Sequence, residues 1–318
     1  FLYGRAPVRI GMDLCFGLIT GEGIGVKRIF IVGSLNMDLV VRSPHMPKAG
    51  ETVTGNGFME NGGGKGANQA VASARLGGKV FLCGVTGEDN YGKKLTENLE
   101  KAGVDVSFVR RAGGISTGIA IIIVSEGDNR IILDRGANAF LGKQDIDLFL
   151  EHAKEGDIYL TQLENPIPVV GYGLKRAKEK GLLTILNPAP ADPGIVEYFP
   201  YVDIIAPNEG ELEAFGGKEI LLKAGLSRII TTLGEDGYEI TERSNTVKYS
   251  CMKVKAIDTT AAGDTFCGGV AVGLSENKTL AESALFGSTA ASIACTRYGA
   301  QQSVPSREEV LTALLSRS

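Results

Sequence analysis

The sequence predicts an α/β protein of three layers: helices on both faces of an open, mainly parallel sheet, with a small second sheet inserted into it. Three observations carry this expectation. Short, nearly unbroken apolar runs recur along the chain, as strands buried on both faces require. Stretches of helical periodicity lie between them, the rhythm of right-handed βαβ units. A few segments rich in β-branched residues and bounded by turns fall outside that alternation.

In chain order, the strand runs are 28–33 (RIFIVG), 80–83, 158–161, 182–186, 202–206 and 228–232. The helical stretches are 66–76, 91–102, 167–180, 209–215, 262–274 and 279–297. Between Phe215 and Ser227 there is room for little more than one short helix. The exceptional segments are 39–42, 52–60, and 117–124 with 129–134. They read as an accessory sheet, a lid built from about 39–60 and 117–134, or else as edge hairpins of the main sheet; the lid is the expectation. No Pro/Ser-rich linker and no repeat divides the chain, so 27–318 is expected to be one large domain carrying the lid as an insertion. Residues 1–26 read as an N-terminal extension outside the fold. Asp13 and Glu22 break any signal-peptide pattern, and the run Gly21 to Gly25 precedes the first strand, where a dinucleotide fingerprint would follow it.

Composition removes several function classes. Hydrophobic residues are 43% and charged residues 22% of 318, enough to bury a core. The net charge is −4 with no basic block, which argues against nucleic acid. No apolar run is long enough for a membrane span. Two histidines, His45 and His152, leave little room for a His-rich zinc site or a Ser-His-Asp triad. Cys15, Cys83, Cys251, Cys267 and Cys295 are scattered, which suits reduced thiols in the cytoplasm. Gly is abundant, 43 residues, without a collagen period. That points to tight turns or to places where a ligand approaches the backbone.

Three clusters could carry chemistry. Residues 87–94 (GEDNYGKK) fit G-x-x-x-x-G-K, but Lys94 stands where a P-loop needs Ser or Thr, and Glu88 and Asp89 would repel phosphates. This one reads as a turn opening a surface helix. Residues 62–70 (GGGKGANQA) open a helix with four glycines in five positions; Asn68 could exchange hydrogen bonds with a hydroxyl. A plain Gly-rich connection and a polyol site both fit. Residues 258–266 (DTTAAGDTF) run small residues straight into a helix. Ala261, Ala262 and Gly263 would put backbone N–H groups at its N-terminus, an anion site for a phosphate with developing charge. Asp264 beside it is either a dipole-compensating first-turn acid or the base that phosphoryl transfer to an alcohol needs.

On these last two signatures, in this order and spacing, the chain resembles the ribokinase family of carbohydrate kinases, over about residues 28–315. The resemblance implies ATP-dependent phosphorylation of D-ribose at its 5-hydroxyl, with another sugar or nucleoside as the alternative acceptor, or a non-catalytic sugar sensor on the same fold. It implies that Asn36 and Asp38, in the first-strand motif GSLNMD, bind sugar hydroxyls together with Gly64, Lys65, Asn68 and Glu164. Asp264 would be the catalytic base, and Ala261, Ala262 and Gly263 the anion hole. On the nucleotide side it implies Asn208 near the phosphates and Glu211 acting on Mg²⁺ through water. The loop Thr232, Leu233, Gly234, Glu235, Asp236 and Gly237, with Gly263, would run along ATP. It also implies an activating K⁺ held by Asp258, Thr260, Ala294, Arg297, Gly299 and Ser303. Apolar lid positions such as Val53, Ile121 and Ile123 point to a homodimer built on the lid.

Overall fold

A computed structural model describes residues 26–316 except 127 and 244, so the expected N-terminal extension, Val26 apart, lies outside the described residues. The chain opens with β1 (Arg28–Val32), β2 (Asn36–Arg42), β3 (Asn56–Gly63), α1 (Lys65–Arg75), β4 (Lys79–Gly87), α2 (Asn90–Lys101) and β5 (Asp105–Ala112). There follow β6 (Gly118–Ser125), β7 (Asp128–Asp134), α3 (Lys143–Glu151), β8 (Ile158–Thr161), α4 (Ile167–Glu179), β9 (Leu183–Leu186) and β10 (Ile204–Ile205). The rest is α5 (Glu209–Ala214), α6 (Lys218–Lys223), β11 (Arg228–Thr232), β12 (Tyr238–Glu242), β13 (Asn245–Tyr249), α7 (Ala262–Ser275), α8 (Leu280–Ala294) and α9 (Arg307–Leu315).

The main sheet has the order β13-β12-β11-β10-β9-β8-β1-β4-β5. It is parallel from β11 to β5, and β12 and β13 are added antiparallel at one edge. Burial on both faces explains the apolar runs. Along β1, Ile29 and Ile31 enter the core cluster under α1, α7 and α8, whereas Phe30 and Val32 enter the one under α3 and α4. The segment between Phe215 and Ser227 forms one short helix, α6, whose Leu221 closes the second cluster with Leu226.

The exceptional segments form a separate four-stranded sheet, β3-β2-β6-β7, so the edge-hairpin alternative is set aside. Its strands are displaced from their expected limits: the expected 52–60 strand begins only at Asn56, because 52–55 pair with no strand, and β6 begins at Gly118 rather than 117. β3 extends to Gly63 and α1 begins at Lys65, so the Gly-rich run is strand and helix with only Gly64 between them. The exposed apolar side chains of this sheet are Phe58, Met59, Ile121, Ile131, Ile132 and Leu133. Val53 and Ile123, expected to be exposed, are half-buried.

Strands β5, β12 and β13 and helices α3 and α9 escape the sequence reading. β5 (DVSFVRRA) is an edge strand half open to solvent, and its polar residues interrupt the apolar run that marks central strands. Helix α8 stops at Ala294 rather than Arg297, because the Cys295 carbonyl turns to accept the N–H groups of Ile257 and Asp258.

Candidate active site

The chain runs outward from β1 through β4 to β5, then returns to β8 on the other side of β1. In an open α/β sheet such a reversal leaves a crevice beyond the carboxyl ends of the strands. Ser34, just past β1, and Glu164, just past β8, meet there. The Ser34 hydroxyl donates to Glu164 Oε2, which also accepts the Lys65 backbone N–H at 3.1 Å. Gly66 makes this possible: a Cβ on it would lie 2.5 Å from the Gly33 backbone, so α1 can start against the end of β1 only without a side chain there.

The small sheet brings the first-strand motif to the same crevice. Asn36 is buried, and its Oδ1 accepts from Asn138 Nδ2 at 2.8 Å; Asn138 also brackets the Leu35 backbone through 2.9 and 3.0 Å bonds. Asn138 was not foreseen, since it sits in a 3-10 turn about a hundred residues away. Asp38, half-buried two residues along β2, lies over Gly63 of β3. Burial, with Glu164 and Asp264 as like-charged neighbours, pushes its carboxyl up to about 7. Burial works against the Lys65 ammonium, but the carboxylates of Asp264, Glu164 and Glu211 outweigh it and raise its pKa.

Asp264 is buried in the first turn of α7. Its Oδ2 accepts from Asn68 Nδ2 at 3.0 Å and its Oδ1 from Gln69 Nε2 at 3.0 Å. The turn before it is shaped for an anion. Ala261 has φ +57°, a left-handed conformation costly for Ala, immediately before the helix, and successive left- and right-handed residues point N–H groups into one concavity. No side chain caps α7, whereas α5, α8 and α9 each have a capping box. One of the three expected amides is spent, however: Ala262 N–H donates to the Thr259 carbonyl at 3.2 Å.

Two cavities meet along this turn and share Thr232, Thr259, Ala262 and Gly263. The first, about 230 Å³, is polar, with Lys65, Asn187, Asn208, Glu211 and Asp264 in its wall. Asn208 and Glu211 cap α5 reciprocally: Asn208 N–H donates to Glu211 Oε2 at 2.9 Å, and Glu211 N–H to Asn208 Oδ1 at 2.8 Å. Burial first, then Asp264, raises the Glu211 carboxyl against the lowering effects of Asn208 and Lys65. The second cavity, about 330 Å³, is more apolar. Met252, Val254, Phe266 and Ala291 line it, and Gly234, Glu235 and Gly237 form one side. Two loop residues expected along the nucleotide do not line it. Leu233 faces a separate depression over α5 and α6, and Asp236 is exposed in the 3-10 turn, its N–H held by the Leu233 carbonyl. The sequence reading missed the opposite wall, although Ser288, Ala291 and Ser292 on one face of α8, with Cys295 at its C-cap, carry a signal: small residues at helical spacing.

Of the residues expected around a monovalent cation, Asp258, Thr260 and Gly299 come together. Asp258 Oδ1 accepts the Thr260 N–H and hydroxyl at 2.9 and 2.6 Å, and Oδ2 accepts the Gly299 N–H at 2.9 Å. Those bonds hold its carboxyl below the usual range against the effect of burial. The Arg297 side chain pairs with Glu309, and the Ser303 hydroxyl donates to the Ala300 carbonyl at 2.8 Å.

A family model described as pfkB family carbohydrate kinase matches residues 26–307. The chain belongs to that family. A ribokinase of Haemophilus influenzae is 39% identical over 303 residues, 91% of this chain and 98% of that protein. A deoxyribokinase of Salmonella typhi is 36% identical over 254 residues, 76% of this chain and 83% of that protein. The structure of Arabidopsis thaliana ribokinase complexed with ribose and ATP superposes with a TM-score of 0.83 at 31% identity, covering 91% of this chain and 99% of that one. The crevice and the paired cavities therefore sit on a carbohydrate-kinase fold. Among the described residues, no helix is long and apolar enough to cross a membrane.

Proposed function

We propose that this carbohydrate kinase transfers the γ-phosphoryl group of ATP to the 5-hydroxyl of D-ribose. The observation that carries the reading is the position of Asp264. Its carboxylate joins the polar crevice of Asn36, Asp38, Gly64, Lys65, Asn68 and Glu164 to the uncapped turn Ala261-Ala262-Gly263. A hydroxyl held in the crevice meets a base on one side and a phosphoryl group on the other. Asp264 takes the proton as the hydroxyl oxygen attacks in line, and the free amides of the turn with Lys65 offset the charge on the transferring group. Asp38 and Glu164 accept from sugar hydroxyls, which suits a neutral polyol. The small sheet covers the crevice as a lid and excludes water, the competing acceptor.

The nucleotide takes the two joined cavities: phosphates in the polar one beside Asn208, the base in the apolar one between Gly234, Gly237 and the small residues of α8. Glu211 suits Mg²⁺, an ion that keeps several waters and takes one or two carboxylates plus substrate phosphates, where it would neutralise developing charge. Asp258, Thr260, Gly299, Ser303 and the backbone carbonyls at Ala294 and Arg297 offer oxygen donors with one carboxylate, a set for a monovalent cation such as K⁺ that would brace the turn. Alkylation tests the nucleotide placement. Cys251 is half-exposed in the apolar cavity, its thiol donating to the Glu235 carbonyl at 3.2 Å. ATP is expected to slow its reaction with iodoacetamide, and ribose alone to leave it unchanged. Equal rates with and without ATP would move the base elsewhere.

The substrate is tested by assaying ribose, deoxyribose, fructose and adenosine side by side, with and without K⁺. Ribose is expected to give the highest kcat/KM. Deoxyribose is the second reading, because a deoxyribokinase is among the relatives, and its preference over ribose would establish it. ATP turnover indifferent to sugar would remove the kinase reading. Small-molecule substrates and, among the described residues, cysteines free of disulfides fit a cytoplasmic enzyme. The apolar lid face, Phe58, Met59, Ile131, Ile132 and Leu133, fits a homodimer formed lid to lid; a monomer in sedimentation at micromolar concentration would contradict it.

A further inference from the structure

Gln69 follows Asn68 on α1 and is fully buried. A buried amide must place both its oxygen and its nitrogen. Gln69 Nε2 donates to Asp264 Oδ1 at 3.0 Å and to Asn187 Oδ1 at 3.1 Å, and its Oε1 accepts from Gln162 Nε2 at 2.6 Å. The polarity of this chain is fixed at both ends. The Asp264 carboxylate only accepts, so Gln69 must face it with nitrogen. Asn187 Nδ2 donates to the Ala206 carbonyl at 2.9 Å, which also only accepts, so Asn187 turns its oxygen to Gln69. The Gln69 oxygen is left for Gln162, whose own Oε1 is buried without a hydrogen-bond partner. Flipping Gln162 would set oxygen against oxygen, so it tolerates an orphan acceptor to keep the chain in phase.

The terminal torsion of an aspartate is broad. One hydrogen bond from Asn68 to Oδ2 leaves the carboxylate free to rock, and a second, from Gln69 to Oδ1, fixes its plane. We propose that Gln69 is a positioning residue for proton abstraction: it locks the Asp264 carboxylate, and the amide chain Gln162–Gln69–Asn187 ties that lock to the ends of β8 and β9. The proposal rests on the reading of Asp264 as the base.

Gln69→Met keeps the volume and removes the amide. Its kcat is expected to fall about 10- to 100-fold, the scale of losing alignment at a reacting atom, while KM for ribose and for ATP stay close to wild type; Tm falls as well, because Gln162 Nε2 and Asn187 Oδ1 lose their buried partner. A purely structural glutamine would lower Tm alone and leave kcat of the folded fraction unchanged. Gln162→Met, which spares both Gln69 donors, is expected to lose less kcat alone and nothing further when added to Gln69→Met. Unchanged kcat in Gln69→Met, a rise in KM without loss of kcat, or full additivity in the double variant would overturn the proposal. If Gln69→Met does not fold, Gln162→Met alone decides it: reduced kcat at unchanged KM supports the chain, and unchanged kcat sinks it. Asp264→Asn is assayed alongside. Normal turnover there removes the base reading and this proposal together, whereas an inactive Asp264→Asn beside a normal Gln69→Met removes only the positioning role.

Discussion

Asp264→Asn is expected to lower kcat by about 10²- to 10⁴-fold, the usual share of a positioned general base, while ribose and ATP still bind. The substitution keeps the shape of the side chain but removes the acceptor proposed to take the hydroxyl proton. It also presents an amide to Asn68 Nδ2 and Gln69 Nε2, two donors that now face a carboxylate at 3.0 Å each. One of the two must lose its acceptor, so a small fall in Tm accompanies the kinetic loss. The free amides of the 261–263 turn and the Lys65 ammonium remain, so in the proposed placement the phosphates keep their partners and KM for ATP should move little. Turnover and calorimetry on the same preparation separate these effects. Near-normal kcat would take Asp264 out of the base role. Loss of ribose binding equal to the loss of kcat would make it a binding residue instead.

The parts of this fold that the sequence reveals are those with a local signature. RIFIVG announces a strand buried on both faces, and GGGKGANQA and DTTAAGDTF announce helix starts that need small residues. Residues whose role depends on distant partners leave no such mark. Gln69 looks like any polar residue on a helix until Asp264, 195 residues away, and Asn187, 118 away, are brought against it. The left-handed Ala261 is equally silent, because nothing in an alanine predicts positive φ. Edge strands such as β5 blend polar and apolar residues and so resemble loops. The loop 232–237 sat between these extremes. Its place after a strand is legible, but which of its residues face the more apolar cavity is not: Thr232, Gly234, Glu235 and Gly237 line it, and Leu233 turns the other way.

Ribose binding is expected to tighten as the pH rises through neutrality, and Asp38 is the reason. Its carboxyl is pushed up to about 7 by burial and by the neighbouring Glu164 and Asp264 carboxylates. Only the ionised form accepts hydrogen bonds from two sugar hydroxyls without giving one back, so the protonated form must lose its proton before the sugar docks. Below pH 7 each unit should cost about tenfold in ribose affinity, because the competent fraction falls tenfold; above pH 8 the affinity should level off. The same shift has a sign for stability. The folded protein holds this proton up to about pH 7, whereas the unfolded chain releases it near 3.8, so the folded state binds more protons across that window. The Asp38 contribution to stability in the sugar-free protein therefore falls as the pH rises from about 4 to 7, and saturating ribose should restore it at the upper end. Calorimetric titration of ribose without ATP, from pH 5.5 to 8.5, measures the first effect without involving the base. Asp38→Asn should bind ribose weakly and with a flat pH profile. A flat profile in the unaltered protein, or an unchanged slope in Asp38→Asn, would assign the sugar's anchor to another residue.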